Sequence, residues 1–297
     1  MNKGFLYALV CYLTWGLLPI YWKSLHELPA MEILANRIVW SLISVALVLL
    51  VRRHWSWIGK ISRKTLLTFV AVSVLISINW LTYIWAVNAG FVVESSLGYF
   101  INPLVNVLLG SVFLGERLRK LQWAAIGLAA AGVTYLTISL GALPWISLTL
   151  AISFGFYGLL KKTAALSSLQ GLSLEMGLLF PIALGYLLII GMRGDAAFAT
   201  VGLGTQAMVI GTGVITAIPL LAFASAARRL TLTSLGLMQY IAPTMQFCLG
   251  VFLYHEPFSN AQLVGFSMIW LALAAYTTES IFVNRQLAHE RMAVAAR

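Results

Sequence analysis

The Lys and Arg residues of this 297-residue chain fall in a pattern that fixes its class. Sixteen of the nineteen lie in alternate gaps between ten long apolar runs. Lys3 precedes the first run; Arg52, Arg53, Lys60, Arg63 and Lys64 follow the second; Arg117, Arg119 and Lys120 follow the fourth. Lys161 and Lys162 follow the sixth, Arg228 and Arg229 the eighth, and Arg285, Arg291 and Arg297 the tenth. Lys23, Arg37 and Arg193 are the three cations outside this rule. Cytoplasmic loops are rich in Lys and Arg because translocating them during insertion is disfavoured. The alternation therefore predicts ten transmembrane helices with both termini on the cytoplasmic side (N-in and C-in).

Composition agrees. Only 9% of the residues are charged and 61% are hydrophobic, whereas a soluble domain carries charge on roughly a quarter of its positions. Ten spans of about 20 residues consume about 200 of the chain. The remaining short loops are too small for a catalytic or nucleotide-binding domain. The net charge of +10 is spread over six cytoplasmic segments, which speaks for contact with anionic membrane lipid and against a nucleic-acid partner. Cys11 and Cys248 sit inside apolar runs as small buried hydrophobes, and no metal or cofactor is expected. Met1 to Lys3 begin an uncleaved first span, since the apolar run continues through Pro19 and Tyr21 without an A-x-A-like site. Oligomeric state is left open.

The expected spans are 4–22, 31–51, 66–88, 94–114, 120–140, 143–161, 171–191, 206–227, 233–254 and 260–282. The chain also repeats itself. At an offset of 140, Ile101 matches Ile241, Pro103 matches Pro243, Gly110 matches Gly250, Glu116 matches Glu256 and Gln122 matches Gln262. At 139, Gly16 matches Gly155 and Lys23 matches Lys162. Residues 1–141 and 142–284 are thus read as two five-helix repeats, and 285–297 as a cytoplasmic tail. An odd number of spans per repeat inverts the second half relative to the first. Such inverted repeats characterise secondary transporters, whose substrate site lies near the midplane between them.

Polar residues in a span should face other helices or a cavity. On the fourth span Ser95, Ser96, Tyr99, Asn102, Pro103, Asn106 and Gly110 fall within an arc of about 120° at 100° per residue. Gly236, Gln239, Pro243, Gln246 and Gly250 repeat the stripe on the ninth span. The eighth carries Thr212, Thr216, Pro219 and Phe223, and the third Asn79, Trp80 and Tyr83. Two readings stand at this point. Small and amide residues are helix–helix glue, or they line a substrate pathway. On the second reading the pathway residues are Asn79, Trp80, Tyr83, Ser96, Tyr99, Asn102, Pro103, Gln239, Tyr240 and Pro243.

Intramembrane charge is costly, about 2.5–3.5 kcal/mol at mid-bilayer on insertion scales. Glu32 and Arg37 lie in the second span and Glu175 in the seventh. Arg37 points about 140° away from Glu32 on an ideal helix, so it is expected to meet a group on another helix. These three are candidates for charge handling or gating; a buried pair that fixes helix register is the equal alternative. Glu94, Glu116 and Glu256 are read as helix caps.

The stretch Ile78 to Ala89, with Glu94-Ser95-Ser96-Leu97-Gly98-Tyr99-Phe100-Ile101-Asn102-Pro103-Leu104 and Gly115-Glu116-Arg117, resembles the RarD proteins, in the EamA branch of the drug/metabolite transporter superfamily. Glu32-Ile33-Leu34 with Arg37 and Trp40-Ser41, Ser234-Leu235-Gly236, Gln239-Tyr240-Ile241 and Pro243-Thr244 extend the likeness over nearly the whole chain. The resemblance implies ten helices in two inverted halves, a bacterial inner membrane location, and secondary transport of a small-molecule substrate, often the export of metabolites or drugs, amino acids included. An intramembrane enzyme is the rival from another class. The chain has one aspartate, Asp195, no H-E-x-x-H and no G-x-S-x-G, and His26, His54, His255 and His289 lie in loops or tails. No catalytic residue is assigned. A passive channel remains open.

Overall fold

The computed structural model describes residues 3–52, 55, 57–115, 118–163, 166–227, 229 and 238–295. The chain is all-helical, and no strand occurs among the described residues. Its helices are α1 (Lys3–Lys23), α2 (Ala30–Arg52), α3 (Arg63–Asn88), α4 (Val92–Leu114), α5 (Lys120–Leu140), α6 (Trp145–Thr163), α7 (Ser168–Arg193), α8 (Leu203–Ala227), α9 (Ile241–Cys248) and α10 (Asn260–Ala295). Eight are long and apolar enough to cross a membrane, and the segments Trp145–Lys161 and Ile241–Leu253 are shorter apolar helices. A helix satisfies its own backbone polar groups, so it is one of the two structures that can lie in hydrocarbon. Large apolar side chains such as Leu67, Ile138, Ile182 and Phe252 point outward, more than half exposed. In a soluble protein this surface would aggregate; here it meets lipid.

The ninth span differs from the continuous run expected over 233–254. Met238 and Gln239 are helical, Tyr240 is a turn residue, and α9 begins afresh at Ile241. Pro243 supplies the reason: it has no N–H, and its ring clashes with the carbonyl four residues back, that of Gln239. Pro243 is tolerated in the first turn of α9, where that N–H has no partner to lose. Its counterpart Pro103 stays inside α4. Cys248 is exposed on this short helix, unlike the buried Cys11. A π-helical segment, Leu249–Leu253, follows. The stop is then made by His255 at φ 51°, a left-handed conformation. In α4 the corresponding position is Gly115, φ 68°, whose N–H returns to the Gly110 carbonyl. Likewise the Glu256 N–H returns to Gly250. The last helix runs on to Ala295, past the expected end at 282, so most of the predicted tail is helical. Glu116, Arg117, Arg228 and Ser234-Leu235-Gly236 lie outside the described residues.

Helix packing crosses the middle of the chain repeatedly. α3 packs on α6 and α8 on α1; α4 packs on α6 and α9 on α1; α2 packs on α8 and α7 on α3. α2 also meets α7, α4 meets α9, and α5 meets α10. These contacts, which include the most extensive in the bundle, form a set unchanged when each helix is exchanged with the one five places along. Lesser ones, such as α1 with α3 and α4 with α5, are less evenly matched. Local features recur in the same way. Short 3₁₀ turns occur at Ile58–Lys60, between α2 and α3, and at Ala197–Ala199, between α7 and α8. The Gln122 side chain accepts from the Arg119 N–H before α5, and Gln262 accepts from the Ser259 N–H before α10. Close approach of α2 and α8 needs Gly213, where a Cβ would lie 2.3 Å from the Trp40 carbonyl oxygen.

Candidate functional site

Arg37 on α2 is 5% exposed and meets three other helices. Its Nε donates to the Thr216 hydroxyl on α8 at 3.0 Å. The guanidinium carbon lies 3.7 Å from the ring centroid of Trp80 on α3 and 4.9 Å from that of Trp22 on α1. Cation–π contact of a desolvated guanidinium is worth about 2 kcal/mol or more, which offsets part of the burial cost. Tyr83, one turn along α3 from Trp80, and Tyr99, packed on its ring, lie in the neighbourhood of the guanidinium. The ion pairs among the described residues are Lys161–Glu175 and Arg119–Glu279, so Arg37 has no acidic partner there. As expected from its direction on α2, Arg37 does not pair with Glu32.

From this cation a ladder of rings leads to the second buried charge. Tyr83 meets Tyr99 at 5.6 Å between centroids, Tyr99 meets Phe154 at 6.4 Å, and Phe154 meets Tyr157 at 5.6 Å. The Tyr157 hydroxyl donates to Glu175 Oε2 at 3.3 Å, and Lys161 Nζ donates to Oε1. Glu175 is fully buried, whereas Lys161 keeps 24% of its side chain exposed. Trp22, Thr216, Tyr157 and Lys161 complete this arrangement and were not among the expected site residues. Thr216 was visible in the α8 stripe. Lys161 was hidden by its place in a cation-rich gap, where it counted as a topology signal.

The amides are placed differently. The Asn79 amide donates to the Leu150 carbonyl and the Ser153 hydroxyl of α6, both at 3.0 Å. That of Asn102 donates to the Ala151 carbonyl of α6 at 3.1 Å, while its oxygen accepts from Asn106. Gln246 of α9 donates to the Trp15 carbonyl of α1 at 3.0 Å, the matching helix pair of the other half. Ser96 bonds within its own helix to Val93. Asn79, Asn102 and Gln246 fasten helices by gripping a neighbour's backbone. Tyr240 packs in a separate apolar cluster with α4, α5 and α10, away from the cluster that holds Trp22 and Trp80. Gln239 is half-buried at the break before α9.

At the end of the bundle remote from both termini, two carboxylates grip backbone. Glu32 accepts from the N–H groups of Ala197 and Phe198, at 3.1 and 2.8 Å, in the α7–α8 connection. Glu256 accepts from those of Val92 and Val93, at 2.9 and 2.8 Å. It thus caps α4, not the helix that follows it, and takes the role that Glu94 was expected to fill. Burial pushes the Glu256 carboxyl above the usual carboxylate range, while the two N–H groups and Lys23 draw it back. Lys23 Nζ also lies 4.0 Å from the centre of the Tyr254 ring. Two open grooves, about 220 and 470 Å³, are lined mainly by apolar side chains away from Arg37: one by α2, α7 and Trp57, the other on the outer side of α1 and α8.

Comparison with known proteins places these features in a lineage. The EamA-like transporter family matches residues 2–138. A Bacillus subtilis protein named "Uncharacterized transporter YojE" is 49% identical, covering 94% of this chain and 95% of that one. The protein RarD of Streptomyces exfoliatus is 48% identical over 96% of this chain and 91% of its own length. The RarD of Escherichia coli K12 is 42% identical, with 96% and 97% covered. A solved structure titled only as a crystal structure of protein superposes with a TM-score of 0.60 at 18% identity, over 92% of this chain and 96% of that one, and so shares the fold.

Proposed function

The chain belongs to the RarD family of EamA-like membrane transporters, a multi-pass protein of the bacterial inner membrane, and from that premise we propose that it carries a small metabolite outward by alternating access. Ten spans in two inverted halves, residues 1–141 and 142–284, with both termini cytoplasmic, form the frame of this reading. The packing that survives exchange of each helix with its fifth successor supports it, as do the recurring caps at Gln122 and Gln262.

The observation that carries the reading is the position of Arg37. A buried cation with no acidic partner among the described residues joins α2 and α3 to α8, where the two halves meet. Trp80, Tyr83 and Tyr99 wall the substrate site. The bonds of Glu32 to Ala197 and Phe198, and of Glu256 to Val92 and Val93, hold the periplasmic end shut. Lys161, Glu175 and Tyr157 form the corresponding charged contact towards the cytoplasm. Alternating access needs one end to part while the other holds, and bonds of this kind are few and local at each end. The chain is read as a carrier, not an enzyme.

The test begins with a metabolite comparison, inside against outside, between cells lacking and overproducing the protein. The best hit is then loaded into proteoliposomes. Saturable uptake with counterflow exchange is expected. Flux that rises linearly with concentration, without counterflow, would replace the carrier by a channel.

A further inference from the structure

We infer that Arg37 is the docking point for the carboxylate of a small organic acid whose apolar or aromatic body lies against Trp80, Tyr83 and Tyr99. The inference rests on the transport reading and names its substrate class. A guanidinium carries five N–H donors. In Arg37 the Nε donor is used by Thr216, which leaves the four on the two terminal nitrogens. A buried charge is stable when paired and hydrogen-bonded, yet no carboxylate of the described residues supplies that pair. Glu175 is held by Lys161 and Tyr157, and Glu32 by two backbone N–H groups.

A second, independent feature points to the same place. The Tyr83 hydroxyl is buried, on a residue 2% exposed, and has no hydrogen-bond partner among the described residues. Its ring packs on Tyr99, and on α3 it stands one turn from Trp80, the ring over which Arg37 lies. A carboxylate seated on the terminal nitrogens accepts from Tyr83 as well, so one ligand group satisfies both the unpaired cation and the orphan hydroxyl. Arg presents a fork that matches carboxylate geometry, and the rings of Trp80 and Trp22, 3.7 and 4.9 Å from its guanidinium carbon, help to hold that fork in place. A neutral solute can accept from the hydroxyl but leaves the buried charge unneutralised, and a cationic one is repelled.

Purified full-length protein, with tryptophan fluorescence as the readout, is titrated with 3-phenylpropionate, L-phenylalanine and L-leucine, and with the corresponding carboxamide of each. At least one acid is expected to bind saturably, about tenfold or more tighter than its amide, the difference expected for a lost hydrogen bond to a charged group. R37M should remove that preference, R37K should retain part of it, and Y83F should weaken the acid about threefold to tenfold. If R37M does not yield monodisperse protein, R37K and Y83F make the comparison. Equal binding of acids and amides, unchanged acid binding in these variants, or no binding of any acid would overturn the assignment. Proteoliposome flux separates the two claims. Acids that bind through Arg37 without saturable flux would sink the transport reading alone, and saturable flux of neutral solutes indifferent to R37K would sink this inference alone.

Discussion

Substituting Gly213 by Ala tests whether the α2–α8 contact governs Arg37. Gly213 faces Trp40, and one turn along each helix Thr216 faces Arg37, as the antiparallel register requires. An added Cβ would lie 2.3 Å from the Trp40 carbonyl oxygen and 2.4 Å from its carbon. The closest ordinary C···O contact is about 3.3 Å, so the helices must separate by roughly 1 Å. The obstacle is backbone and cannot swing aside. A parting of that size takes the 3.0 Å Arg37–Thr216 bond beyond the 3.5 Å limit of a useful hydrogen bond. Overpacking costs about 1–3 kcal/mol, and loss of a bond to a charged group about 1.5–3. The better helix propensity of Ala returns about 1. The net expectation is a loss of about 1.5–5 kcal/mol, measured by unfolding of detergent-solubilised protein in a denaturant series. Gly185→Ala is the matched control, because nothing lies within 4 Å of its added carbon. Gly213→Ala as stable as Gly185→Ala would refute the reasoning.

Lys161→Met should leave Glu175 buried and unpaired and lower stability by about 3 kcal/mol, towards the low end for a broken buried pair because Lys161 is partly exposed; the double change with Glu175→Met should recover most of the loss in the same unfolding assay. Glu256→Gln keeps the side-chain shape but exchanges one acceptor oxygen for a donor facing an α4 N–H, so about 1–3 kcal/mol should be lost, with faster amide exchange at Val92 and Val93. His255→Gly relieves a left-handed backbone and should be neutral or stabilising by up to about 1 kcal/mol, read as the unfolding midpoint.

The class of the protein was legible because insertion acts on long averaged features, and the placement of Lys3, Arg52 and Arg119 among apolar runs is such a feature. The stripes on α3 and α4 were equally legible as inward-facing. Which neighbour each side chain meets was not, because partners come from distant helices. Asn79 and Asn102 were read as possible pathway residues, yet both hold α6 by its carbonyls. Glu256 looked like a cap for the helix that follows, and nothing near it in the chain shows that it grips Val92, 164 residues earlier. The break before α9 was foreseeable in kind from Pro243. Its position was not, since the matched Pro103 leaves α4 unbroken.

The exchange of partners across the midpoint of the chain bears on how the molecule is made. α1 is made well before α8 and α9, on which it packs and which lie in the last third of the sequence. Until those arrive, the part of its inward flank that includes Tyr12 and Trp15 lacks Phe223 of α8, against which both rings pack. Biogenesis therefore separates into threading and closure. Closure comes late and all at once, so the nascent first half depends on the bilayer, or on a membrane chaperone, to keep its seam from pairing wrongly.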